Sequence, residues 1–211
     1  ALHAAVELTG TVPAVLLYES AISGNCYKVR LLFAQLGIDY ERRELSVFDR
    51  SDRPGVIGDL NPALRVPTLV LDDGRALAES GAILFHFAEG TDLLPADRFE
   101  RAQVLQWMFF EQYDCEPNIA VLRFWALAEL ARALDEVDAK RAAGERALAA
   151  LDRHLGARAF LVGERYSIAD IALYGYTHVA PEGGFSLDPY PAVRAWLARV
   201  AAQPGHVPIT D

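Results

Sequence analysis

Between Ala14 and Gly90 the residue pattern changes type about every ten residues, and after Pro95 it stops changing. The first half opens on a short apolar run, Ala14 to Tyr18, that fits a buried strand. Cys26, Val29, Leu32, Phe33 and Leu36 then recur at three- and four-residue spacing, and Gly37 stands where a helix C-terminus takes a left-handed residue. Asp39 to Leu45 reads as a second strand, Arg50 to Leu60 as an irregular or weakly helical connection, and Val66 to Leu71 as a third strand. Asp73-Gly74 between apolar runs signals a hairpin, so Arg75 to Ala78 is expected to run antiparallel to the strand before it. Ala82 to Ala88 closes this half as a helix. The order predicts a small α/β unit over residues 14–90, with a mixed four-stranded sheet.

Thr91 to Asp97 reads as a linker, and residues 98–211 carry Ala, Leu, Arg and Glu at helical spacing, which predicts an all-α unit. Its expected helices are Arg98 to Ala131 with a bend near Pro117, Leu134 to Leu155, Ile168 to Val179, and Pro191 to Ala202. Ser167-Ile-Ala-Asp170 has the form of a capping box at the start of a helix too apolar for the surface, which places that helix at the centre of this half.

The 211 residues carry a net charge of −9, and both halves hold more acidic than basic residues, so no basic stripe is present for nucleic acid. No apolar run approaches the roughly 18 residues that span a bilayer. The first 27 residues lack Lys and Arg, and residues 1–13 read as a frayed or trimmed leader rather than a secretory signal. The two cysteines lie far apart and form no CxxC, which fits a reducing cytoplasm. The five histidines show no metal-ligand spacing, and no phosphate-binding, dinucleotide-binding or serine-hydrolase motif occurs, so no metal is expected.

Three segments carry candidate chemistry. Ser20 to Lys28 leads from a buried strand into a helix, where unpaired N–H groups and the positive dipole end stabilise an anion such as a thiolate; Ser23 and Asn25 are candidate donors. Ser20 lies nearer the strand end, and Cys26 falls on the helix's apolar repeat. Asn61 to Pro67 puts a proline at a strand start, where an X-Pro bond can be cis and Val66 can offer its backbone to an extended peptide. Glu79 and Ser80 precede another helix, and together suit the ammonium and carboxylate of an α-amino acid.

A thiolate cradle, a backbone pairing edge and an amino-acid clamp on one α/β unit describe a receptor for a thiol-containing γ-glutamyl peptide. From Ser23–Leu32, Asn61–Pro67, Glu79–Leu84 and Ser167–Ala172, the chain resembles the glutathione S-transferase family, with the loop of the bacterial serine/asparagine-type, zeta- or nu-like members. The resemblance implies a thioredoxin-like N-terminal domain, an all-helical C-terminal domain and a homodimer, with glutathione as co-substrate. It implies that Ser23, with Asn25, activates the glutathione thiol for attack on a small hydrophobic electrophile. It further implies that Val66 before a cis Pro67 pairs with the cysteinyl backbone, that Glu79 and Ser80 hold the γ-glutamyl end, and that Arg65 faces the glycyl end. Ser-Gly-Asn replaces the zeta-like Ser-Ser-Cys, which argues against maleylacetoacetate isomerase as the specific activity. Among the aromatics of the long helix, from Trp107 to Trp125 and including Phe124, the expected electrophile pocket is Phe109, Tyr113 and Trp125. Glutathione-dependent disulfide reduction and a non-enzymatic binding or assembly role are the alternatives.

Overall fold

The computed structural model describes residues 15–211; the expected leader and Ala14 lie outside them. Strand β1 (Leu16–Glu19) leads into α1 (Gly24–Leu36), followed by β2 (Glu41–Glu44), a short α2 (Arg53–Ile57), β3 (Thr68–Val70), β4 (Ala76–Ala78) and α3 (Ser80–Ala88). The sheet order is β2-β1-β3-β4, with β2 parallel to β1 and the other two pairs antiparallel. Edge strand β2 is Glu-Arg-Arg-Glu with all four residues exposed, a charged rim that resists pairing with another chain. Gly37 ends α1 at φ 66°, and Gly74 turns the hairpin at φ 82°, both values that favour glycine. Strand and helix boundaries in this half shift by one or two residues from the sequence pattern. β3 starts at Thr68 because Val66 and Pro67 form the bend before it, and α3 starts at Ser80, directly after the turn.

The single long helix expected over 98–131 is three pieces: α4 (Arg98–Phe110), a π-helix (Glu111–Ala120) and α5 (Val121–Leu127). Pro117 sits inside the π-helix. A proline lacks the N–H and its ring crowds the preceding turn, and the wider i→i+5 winding accommodates it without a break. Helices α6 (Leu134–Leu155), α7 (Ile168–Thr177) and α8 (Pro191–Ala201) complete the fold, and every residue of α7 is buried.

The capping box at Ser167 forms, and its aspartate does more than cap. The fully buried Asp170 carboxylate accepts from the Ser167 N–H (3.0 Å), the Leu161 N–H (3.1 Å) and Trp196 Nε1 (2.8 Å), tying α7 to α8 and to the loop ahead of it. One hydrophobic cluster runs from Tyr27, Leu31 and Leu32 of α1 through α7 to Trp196 of α8, so the helix that opens the site packs on both halves. The chain then returns to α1 at its far end. Tyr27 donates to the Val207 carbonyl and Arg30 to the Ile209 carbonyl, each at 2.7 Å.

Candidate active site

The turn between β1 and α1 is held from outside. Ser20 Oγ and the Ala21 N–H both donate to Glu44 (2.9 and 3.0 Å), and Arg123 of α5 donates to the Ile22 carbonyl at 2.6 Å. Ser20 is thereby committed to the loop. Ser23 is the N-cap of α1: its Oγ accepts from the Cys26 N–H at 3.3 Å, which leaves its own hydrogen to give elsewhere. Cys26 is fully buried, as its place on the apolar repeat predicts, and burial pushes its thiol up to about 12. Cys115 is buried as well, with its thiol raised for the same reason. Neither thiol is expected to react with a thiol-specific reagent in the native protein, and both are expected to appear on unfolding in denaturant; rapid native labelling at either would contradict this burial.

Asn25 is fixed by its carbonyl oxygen. Oδ1 accepts from Lys28 Nζ at 2.8 Å and from Ser80 Oγ at 3.3 Å, so Nδ2 is left with both hydrogens for the cleft that Asn25 lines. Lys28 and its ion-pair partner Glu111 are both buried, 2.7 Å apart. Two glycines on crossing helices make the room: a Cβ on Gly175 would sit 2.7 Å from Lys28 Cγ, in the way of the lysine stem, and one on Gly24 would sit 2.5 Å from the Tyr176 ring that the lysine faces.

The Val66–Pro67 peptide is cis. The Arg65 carbonyl takes two donors, Asn61 Nδ2 (3.0 Å) and Thr68 Oγ1 (2.7 Å), which fixes the bend. The Val66 N–H and carbonyl make no backbone hydrogen bond among the described residues, so they stand open on the cleft. Glu79 has φ 67° and ψ 117°, a left-handed value that costs a non-glycine residue on the order of 1 kcal/mol. The turn presents its exposed carboxylate beside Ser80, the first residue of α3, which is buried.

These groups line one cleft of about 340 Å³, with Ser23, Asn25, Arg65, Val66, Pro67, Glu79 and Ser80 all on its walls. The opposite wall comes from the π-helix and α5, and here the sequence reading needs correction. Phe109 and Tyr113 do not line the cleft; they are 66% and 84% exposed on the outer side of the long helix, because Gln112 and Glu116 occupy the inward stripe. Trp125 packs against the helical core with Arg132 and Lys140 over its ring. Phe124, Val121 and Leu127 supply the apolar lining instead. Glu116 is raised above the usual carboxyl range, first by burial and then by Glu111. Gln112, Arg123 and Tyr176 carried no motif that would have singled them out. Among the described residues no cluster of three or more His, Cys, Asp or Glu is arranged to hold a metal, and no helix is long and apolar enough to cross a membrane.

Comparison with known proteins bears on both halves. Residues 17–92 match the glutathione S-transferase N-terminal domain, and residues 104–204 match the glutathione S-transferase C-terminal domain. A crystal structure of a glutathione S-transferase from Pseudomonas fluorescens superposes with a TM-score of 0.91 and 44% identity, covering 94% of this chain and all of that one. Disulfide-bond oxidoreductase YfcG of Escherichia coli is 29% identical over 85% of this chain and 87% of its own length. Elongation factor 1-gamma of Artemia salina is 31% identical over 79% of this chain, which spans 40% of that protein's length.

Proposed function

The chain belongs to the glutathione S-transferase family, and from that premise we propose that it binds glutathione in this cleft, holds it as the thiolate and presents it to a small hydrophobic electrophile. The observation that carries the reading is the convergence of unspent donors. The Ser23 hydroxyl hydrogen and the Asn25 amide hydrogens belong to two side chains that line one cleft at the start of α1, where the helix dipole adds to them. In this reading Val66 pairs with the cysteinyl backbone, Glu79 takes the γ-glutamyl ammonium, and the Ser80 backbone N–H at the start of α3 takes its carboxylate. Arg65 faces the glycyl carboxylate. A free thiol titrates near ~8.5, so the first unit of lowering brings about eight times more thiolate at neutral pH and the second about three times more again.

Phe124, Val121 and Leu127 take the apolar body of the second substrate, since they are the apolar side chains beside the donors. The protein acts as a homodimer in the cytoplasm; the outward row of Phe99, Phe109 and Tyr113 along α4 and the start of the π-helix supports the first, and the two free thiols support the second. Calorimetric titration with glutathione, followed by thiolate ultraviolet absorbance across pH on the same sample, tests the central step. Binding is expected, with the bound thiol titrating at least about one unit below its free value. No binding at millimolar glutathione would refute the transferase reading and leave a scaffold whose partner lies elsewhere.

The likeness to the Escherichia coli oxidoreductase favours a second reading, attack of the same thiolate on a small disulfide. Because Cys26 and Cys115 are buried, glutathione would supply the attacking sulfur. Reduction of a small disulfide at the expense of glutathione, without conjugation of any apolar electrophile, distinguishes it.

A further inference from the structure

Beneath the donors lies an ion pair that thiol binding does not by itself require. Lys28 and Glu111 are each only 1% exposed, and desolvating two charges makes such a pair a poor source of stability compared with apolar side chains of similar size. The placement of the lysine is more telling than its burial. Its three donor directions are taken by Glu111 Oε2 at 2.7 Å, Asn25 Oδ1 at 2.8 Å and the face of the Tyr176 ring at 5.3 Å.

We infer that Lys28, held by Glu111, is a positioning residue that fixes Asn25 with its amide hydrogens toward the bound sulfur and strengthens their hydrogen bond to it. The inference rests on the thiolate reading above. Two physical effects support it. An asparagine amide can turn over, exchanging oxygen and nitrogen, and only the oxygen can accept from an ammonium group. Lys28 together with Ser80 Oγ at 3.3 Å therefore selects one orientation, with Nδ2 in the cleft. The cation also draws electron density from the amide oxygen, which makes the N–H groups better donors to an anion, and low local dielectric magnifies this.

The surroundings keep the lysine on this task. Gln112 Nε2 donates to Glu111 Oε2 at 2.6 Å, and the absence of a side chain at Gly175 leaves the slot that the lysine stem fills. The other titratable groups facing the pair are Glu116 and Cys115 of the π-helix and Tyr176 of α7; burial raises the pKa of all three, which favours their neutral forms.

The test replaces the pair together, Lys28→Met with Glu111→Gln, so that neither charge is left buried alone. Bound-thiol pKa by ultraviolet absorbance and kcat/KM from pH 6.5 to 9 are measured in this variant, in Asn25→Ala and in their combination. The expected result is a bound-thiol pKa raised by about one unit. The matching kinetic result is kcat/KM about tenfold lower at pH 6.5, recovering toward the wild-type value at pH 9. Adding the pair replacement to Asn25→Ala is expected to raise the pKa no further, because Lys28 acts through Asn25. Lys28→Gln with Glu111→Gln keeps a donor for Asn25 Oδ1 without the charge, offers a second route should the methionine variant fold poorly, and is expected to give a smaller rise. A thiol pKa unchanged from wild type in these variants, or a shift that adds in full to that of Asn25→Ala, would overturn the inference while leaving the thiolate reading intact. A wild-type protein with no lowered thiol pKa would overturn both.

Discussion

Ser23→Ala is expected to lower kcat by about a hundredfold while changing the dissociation constant of glutathione by less than about threefold, the pattern of a donor aimed at charge that sulfur carries only as thiolate. The Ser23 hydroxyl accepts from the Cys26 N–H and has its hydrogen to spare, so alanine removes both a donor and a helix cap. Loss of the cap costs about 1 kcal/mol of stability and can be read separately by thermal unfolding. Asn25→Ala differs in kind. Asn25 also accepts from Lys28 and Ser80, so its removal is expected to weaken glutathione binding as well as turnover. Steady-state kinetics paired with calorimetry separates the two. Full turnover in Ser23→Ala with turnover abolished in Asn25→Ala would make the amide, not the hydroxyl, the principal donor.

The largest effect on stability is expected at Asp170. Alanine there strands the Trp196 indole N–H and the backbone N–H groups of Ser167 and Leu161 in the core. At about 1–3 kcal/mol for each unsatisfied buried group, a loss of about 4 kcal/mol or more is expected. That is a large share of the roughly 5–15 kcal/mol that holds a domain folded. Denaturant melts read it directly, and a loss below about 1 kcal/mol would contradict the hub. The same carboxyl gives a sign that can be checked against pH. Burial outweighs its hydrogen bonds and pushes Asp170 up to about 6. Between that value and the ~3.9 of an unfolded aspartate, the native chain binds more protons than the unfolded one, so this group's contribution grows as pH falls through 6 and is lost as pH rises. Wild type is therefore expected to gain stability relative to Asp170→Asn as the pH is lowered from about 6.5 to 4.5; a constant difference would place the carboxyl's pKa elsewhere.

What could be read from the sequence was set by interactions close along the chain. The turn at Asp73-Gly74, the stop at Gly37 and the capping box at Ser167 each depend on a few neighbouring residues, and each forms as read. So does the convergence of Ser23, Asn25, Val66, Glu79 and Ser80 on one cleft, because each of them stands at an element boundary that the sequence marks. The opposite wall was not legible in the same way. Which stripe of the long helix faces inward depends on its rotation against α1 and α7, and the π winding around Pro117 alters that rotation within the segment itself. Aromatic content drew attention to Phe109 and Tyr113, whereas packing turned Gln112, Glu116 and Phe124 inward. Lys28 looked like one more charged residue on a helix, since nothing local announces that Gly175, far along the chain, leaves a slot for its stem.

The return of the chain to α1 bears on the order of events during synthesis. Tyr27 and Arg30 find their partners in the Val207 and Ile209 carbonyls, 180 and 179 residues later. At about 5–20 residues per second, a ribosome takes on the order of ten to forty seconds to make that stretch. Arg30 can pair early with Glu19 and the Ala21 carbonyl, but the nascent α1 waits for these last two carbonyl partners until almost the whole helical half has emerged, so the helix that opens the cleft gains its final ties late.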